Sequence, residues 1–137
     1  VLGSRGLGDV YKEALIYSVL IFTCLSCQQQ TPQTQIEQTA IDFCEAFYNF
    51  NYTVAKEWST PSSQSYLSFL ASNVGQTHLE QLKTRGAAKV SVISSEIDAN
   101  LEEASVVCQI KNAFVIHPIG GKMEYVSSLQ DTLELVE

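Results

Sequence analysis

Apolar side chains recur every three to four residues along TQIEQTAIDFCEAFYNFNYTVAKEWSTP, residues 34–61, and the rest of the chain is organised around this stretch. Ile36, Ala40, Phe43, Cys44 and Phe47 form one stripe of a long helix, with Asp42 and Glu45 on the other side. Thr34, with Glu37 three residues on, is a capping box that predicts where this helix starts. Asn51 predicts its end, because Asn tolerates the left-handed backbone needed there. Val54, Ala55 and Trp58 give a second, short helix a small apolar face. Thr60-Pro61 starts a third, with Pro61 in its first turn. Its buried face is predicted at Tyr66, Leu67, Leu70 and Ala71, and Gly75 closes it. A second capping box, Thr77 to Glu80, opens a fourth helix that Gly86 ends.

From Ala87 the period changes from helix to strand. Residues 89–97 read as a strand with Val90 and Val92 on one face. In 104–116, Ala104, Val106, Cys108, Ile110 and Phe114 point one way, and Ser105, Gln109 and Lys111 the other. Residues 98–101 turn between these two strands, and His117-Pro118-Ile119-Gly120-Gly121 makes the next hairpin loop. Residues 122–137 form a third strand, with a bulge expected at Ser127-Ser128. Helices followed by antiparallel strands give an α+β fold.

Ahead of this pattern lies a different kind of segment. Residues 1–10 have no periodicity and read as upstream residues. Lys12 precedes an apolar run, 14–25, of signal-peptide length and too short to span a bilayer stably. Leu25-Ser26-Cys27 resembles the bacterial lipobox, with Cys24 where an aliphatic residue is usual. A small residue before the cysteine admits the signal peptidase, and the thiol then takes the lipid. The expectation is a chain divided into 1–26, upstream residues and signal peptide; 27–33, a tether lipidated at Cys27; and 34–137, one domain. Residue 28 is Gln, not the Asp of inner-membrane retention. The expected location is therefore the bacterial cell envelope, lipid-anchored in the outer membrane and facing the periplasm.

Charge narrows the partners. Fifteen acidic and eight basic side chains leave a net −7. The bases are scattered, which argues against nucleic acid. At 45% apolar residues the chain has the composition of a folded domain. His78 and His117 lack metal-ligand spacing, so no metal or cofactor is expected.

The runs AIDFCEAFYNFNYTVAKEWSTP (40–61) and DTLELVE (131–137) resemble small Bacteroidetes lipoproteins of the DUF4878 type. The resemblance implies a nuclear-transport-factor-2-like, cystatin-like cone with helices packed on a curved antiparallel sheet. It implies a further Gly-Lys-Trp strand after Glu137, so that the sheet here lacks its last strand. It also implies a possible homodimer through the sheet's outer face, and no established activity. In such a cone Cys44 and Cys108 could meet, as a disulfide or as two separate buried thiols, the second being preferred. Ketosteroid isomerases, on the same cone, work with a Tyr and carboxyl groups. Tyr48 and Asp131 are the corresponding candidates, but the preferred expectation is that the Ser127-Ser128 bulge turns Asp131 to water. Phe43, Phe47, Tyr48, Trp58, Cys108, Ile110, Phe114 and Asp131 are candidate pocket-lining residues. The expected function is non-enzymatic binding of a small apolar ligand or an envelope protein. The alternatives are an isomerase- or hydratase-like enzyme and a structural interaction domain with a filled cone.

Overall fold

The computed structural model describes residues 31–100 and 102–136. The expected signal peptide and the expected lipidation site, Cys27, lie outside the described residues. Among the described residues four helices, α1 (Pro32–Tyr48), α2 (Tyr52–Glu57), α3 (Pro61–Asn73) and α4 (Gln76–Arg85), precede three strands, β1 (Lys89–Ile97), β2 (Glu103–Ile116) and β3 (Met123–Val136). The strands form one antiparallel sheet in the order β1-β2-β3. The fold is α+β.

α1 begins nearly one turn before the expected start, its cap moved from Thr34 to Thr31. Thr31 is the cap: its backbone is extended and its hydroxyl accepts from the Thr34 N–H at 3.3 Å. Pro32 then sits at the first helical position, where its missing N–H costs nothing. Glu37 is thereby free for another role. Its carboxylate accepts from Ser95 Oγ on β1 at 2.5 Å, and Gln33 Nε2 donates to the same Ser95 oxygen at 3.0 Å.

The end of α1 also differs from expectation. Phe50, not Asn51, takes the left-handed conformation, with φ 61°. Asn51 N–H bonds to Ala46 C=O at 2.8 Å and Phe50 N–H to Phe47 C=O at 3.1 Å, the paired bonds of a Schellman motif. Asn49 closes the helix and reaches the sheet. Its Oδ1 accepts from Ala88 N–H at 2.7 Å, and its Nδ2 donates to Ala88 C=O at 3.3 Å.

The core has two layers that share α1. On the sheet side, Ala40, Cys44 and Tyr48, spaced four apart, pack on Val106, Cys108, Ile110 and Ala113 of β2. On the other side Ala46 packs with Tyr52, Ala55, Leu67 and Leu70 of α2 and α3. Phe43 and Phe47 are half-buried between the layers and stack at 5.8 Å. The expected faces of α2 and α3 need correction at three positions. Trp58 and Tyr66 are 45% and 51% exposed, and Ala71 is exposed. With Leu67 and Leu70 turned inward, a neighbour one residue away is rotated about 100° off the buried line.

The expected β3 bulge is also displaced. β2 and β3 keep one register from Glu103↔Val136 to Ile116↔Met123. The irregularity lies in β1, where the register shifts between Val92 and Ser94 and leaves Ile93 half-exposed. That extra residue lets Val90 and Val92 before it, and Ser95 and Ile97 after it, share the inner face. A second local break is Asn112, with φ 59° in the middle of β2. Its Nδ2 donates to the carbonyls of Arg85, Gly86 and Ala87, at 3.2, 2.9 and 3.2 Å, and ties down the segment joining α4 to β1.

Candidate functional site

The buried face of α1 brings two side chains with chemistry to the sheet, Cys44 and, one turn on, Tyr48. The unshifted β2–β3 register sets Asp131 directly across from Cys108. Asp131 therefore does not face open water as expected. It sits on the inner face of β3 with Leu129, Leu133 and Leu135, all half-buried. The Tyr48 hydroxyl donates to Asp131 Oδ2 at 2.8 Å. Burial, then the bond to Asp131 and that carboxylate's charge, push the Tyr48 phenol well above its ordinary range. Tyr48 is thus held as a neutral donor.

Cys44 and Cys108 meet beside this pair. Both are free thiols with no exposed surface, packed in one core cluster. Burial is the largest cause that raises each thiol, and the Asp131 charge adds to both. A thiol kept protonated and away from solvent is a poor nucleophile, so the two behave as small hydrophobes. No buried side-chain nitrogen or oxygen among the described residues lacks a partner.

The interior between α1 and the sheet is filled: Val106, Cys108 and Ile110 have zero exposure. Cys108 and Ile110 are packed core, not the lining of a cavity. Phe47 makes edge contacts with Tyr48 and Tyr52, with ring centroids at 5.1 and 5.5 Å. Phe114 lies at the far end of the sheet, edge-on to Tyr125 at 5.6 Å, in a separate hollow whose wall includes Arg85. Phe43 and Trp58 do meet in an open groove of about 510 Å³ beside α1. Pro61, Leu133, Leu135 and Val136 complete its apolar lining, and Glu57 and Glu134 stand at it as acids. The candidates gathered as one pocket from the sequence are thus divided among a packed core, a part-buried polar pair and two separate hollows.

Neither histidine joins this site. His78 Nδ1 accepts from the Gly75 N–H at 3.0 Å and helps to start α4. His117 Nε2 lies 3.2 Å from Glu124 Oε2 across the hairpin. No group of three His, Cys, Asp or Glu side chains among the described residues is placed to hold a metal ion. Asn49 and Asn112, which tie helices to strands, were not singled out from the sequence. Asn112 is the better signal, a polar residue interrupting the apolar alternation of β2. The chain matches no family model, no curated protein and no solved structure.

Proposed function

We propose that this is a lipid-anchored, non-enzymatic binding domain of the bacterial cell envelope, built on the cone that the sequence resembles. The observation that carries the reading is the groove beside α1, which opens at the outer edge of β3. Among the described residues that edge has no strand paired to it. An unpaired edge offers a row of N–H and C=O groups, and the half-buried Leu133 and Leu135 beneath it offer apolar contact. An extended segment with alternating apolar side chains satisfies both at once. In the cone implied by the resemblance, a further strand would lie along this edge, and a segment of an envelope protein would take its place.

The filled interior weighs against an enzyme that works inside the cone. The Tyr48 hydroxyl is already engaged as a hydrogen-bond donor to Asp131 Oδ2. A substrate would have to displace that bond in a layer where Cys44, Val106, Cys108 and Ile110 have no exposed surface.

The test uses Trp58, the single tryptophan, as reporter. Titration with a synthetic peptide of alternating Val and Thr is expected to shift Trp58 emission to saturation and to slow hydrogen exchange along β3. Leu133→Lys should abolish the shift. A saturable response to anilinonaphthalene sulfonate with none to the peptide would replace the peptide reading with a small apolar ligand.

A further inference from the structure

α3 is apolar on more of its surface than the core uses. It buries Leu67 and Leu70 against α1 and α2, yet Tyr66 and Phe69 remain 51% and 49% exposed. Trp58, at the end of α2, and Leu79, in the first turn of α4, are also among the exposed large hydrophobics. Residues 58–79 contain no Asp, Glu, Lys or Arg, in a chain of net charge −7. A solvated helix face in an acidic protein ordinarily carries charge.

The polar side chains of α3 point to the kind of surroundings this face fits. Ser68 Oγ donates to Gln64 C=O at 2.9 Å, Ser72 Oγ to Phe69 C=O at 2.7 Å and Asn73 Nδ2 to Phe69 C=O at 3.0 Å. The Thr60 hydroxyl is bonded to those of Ser62 and Ser63 at 2.9 and 3.1 Å. These groups bond to the helix itself or to each other. A polar group with an internal partner loses little when water is withdrawn from it. Aromatic rings beside self-satisfied hydroxyls, without charge, match the headgroup–acyl boundary of a bilayer, where Tyr and Trp are enriched.

We propose that the outer face of α3, centred on Tyr66 and Phe69, rests on the interface of an electrically neutral lipid bilayer. The proposal depends on the reading that Cys27 anchors the chain. Three residues, 28–30, separate Cys27 from the cap Thr31, which makes four Cα-to-Cα steps. Even fully extended they span at most about 14 Å, so the anchor keeps the domain close to the lipid surface. The molecule's acidic charge makes a neutral bilayer the favoured partner and an anionic one unfavourable.

The experiment uses the full chain, processed in cells and reconstituted on phosphatidylcholine vesicles with dibrominated acyl chains. Trp58→Phe combined with Tyr66→Trp moves the sole indole onto α3. Sedimentation reads the anchor, and quenching reads the face. The expected result is co-sedimentation, a blue-shifted emission and loss of most of it to the bromines. Replacing a growing share of the lipid with phosphatidylglycerol should restore emission. A chain that sediments but keeps water-like, unquenched emission overturns the proposal and leaves the anchor standing. A chain that stays in the supernatant overturns the anchor and this proposal together. Emission already blue-shifted without lipid, in a species of dimer size, assigns the face to a second copy and also overturns it. Phe69→Ser, at an exposed position that spares the fold, should reduce quenching without changing sedimentation.

Discussion

Tyr48 carries a hydroxyl into a layer otherwise made of Ala, Val, Ile and thiols, and the Asp131 carboxylate makes this tolerable. Hydrogen bonds to charged groups contribute about 1.5–3 kcal/mol. Tyr48→Phe should therefore lower the urea-unfolding free energy by about that much. A Tyr48→Phe, Asp131→Leu double variant should recover most of the loss, because it removes both polar partners. If the two single losses simply add, the bond contributes nothing. Alkaline pH probes the same layer. Tyr52 is pushed up to about 12, by burial first and by the nearby Tyr66 phenol second. A phenol whose folded value is raised stabilises the native state below its unfolded value, near 10, and loses that contribution as pH rises towards the folded value. Stability should thus fall between pH 10 and about 12, the folded value for Tyr52, and Tyr52→Phe should flatten that decline in thermal melts. Phe47 is only half-buried, so Phe47→Ala should cost less than the 3–5 kcal/mol typical of a buried Phe. Ile110, with zero exposure, should cost about 2–5 kcal/mol on truncation to Ala, and the two urea midpoints should rank accordingly.

Among the elements, the strands were the most legible part of the sequence. Strict alternation from Ala104 to Ile110 has one solution, and β2 adopts it. Helix ends were less legible because two signals competed. Thr31-Pro32 and Thr34-Glu37 are both valid starts, and the proline decided between them. Phe50 could not have been foreseen at a left-handed position. A phenylalanine there is strained in isolation, and the Schellman bonds and its ring's place beside Tyr52 hold it. The error over Asp131 had one source. Ser127-Ser128 looks like a bulge, but a continuous register puts Leu129, Asp131 and Leu133 on one face, and the waiting Tyr48 hydroxyl offsets the cost of the carboxylate. That partner lies 83 residues away along the chain, beyond the reach of any local pattern. Asn112 separates strain from bonding in one experiment. Asn112→Gly keeps the positive φ and loses three hydrogen bonds, whereas Asn112→Ala loses both. Both variants should melt lower, Asn112→Ala by the larger margin.

At the scale of the whole molecule, the sheet formed by the described residues keeps β2 in its middle and has β1 and β3 as its edges. An edge of this length invites pairing unless something covers it. Extending the chain past Glu137 by a turn and a Gly-Lys-Trp-type strand is expected to raise the melting temperature and the monomer fraction on size exclusion. Equal values for both chains would show that the β3 edge gains nothing from an added strand, and the binding reading would lose its main support. Asn49 and Ala88, 39 positions apart, are meanwhile joined in both directions by one side-chain amide. That contact fastens α2, α3 and α4 as a loop tied at its base. Lengthening a tied loop is inexpensive, about 0.6 kcal/mol for each doubling. α4, the far limb of the loop, buries no residue of its own. The molecule therefore has a place to grow, where foreign sequence spliced into α4 would leave the sheet and α1 to fold as before.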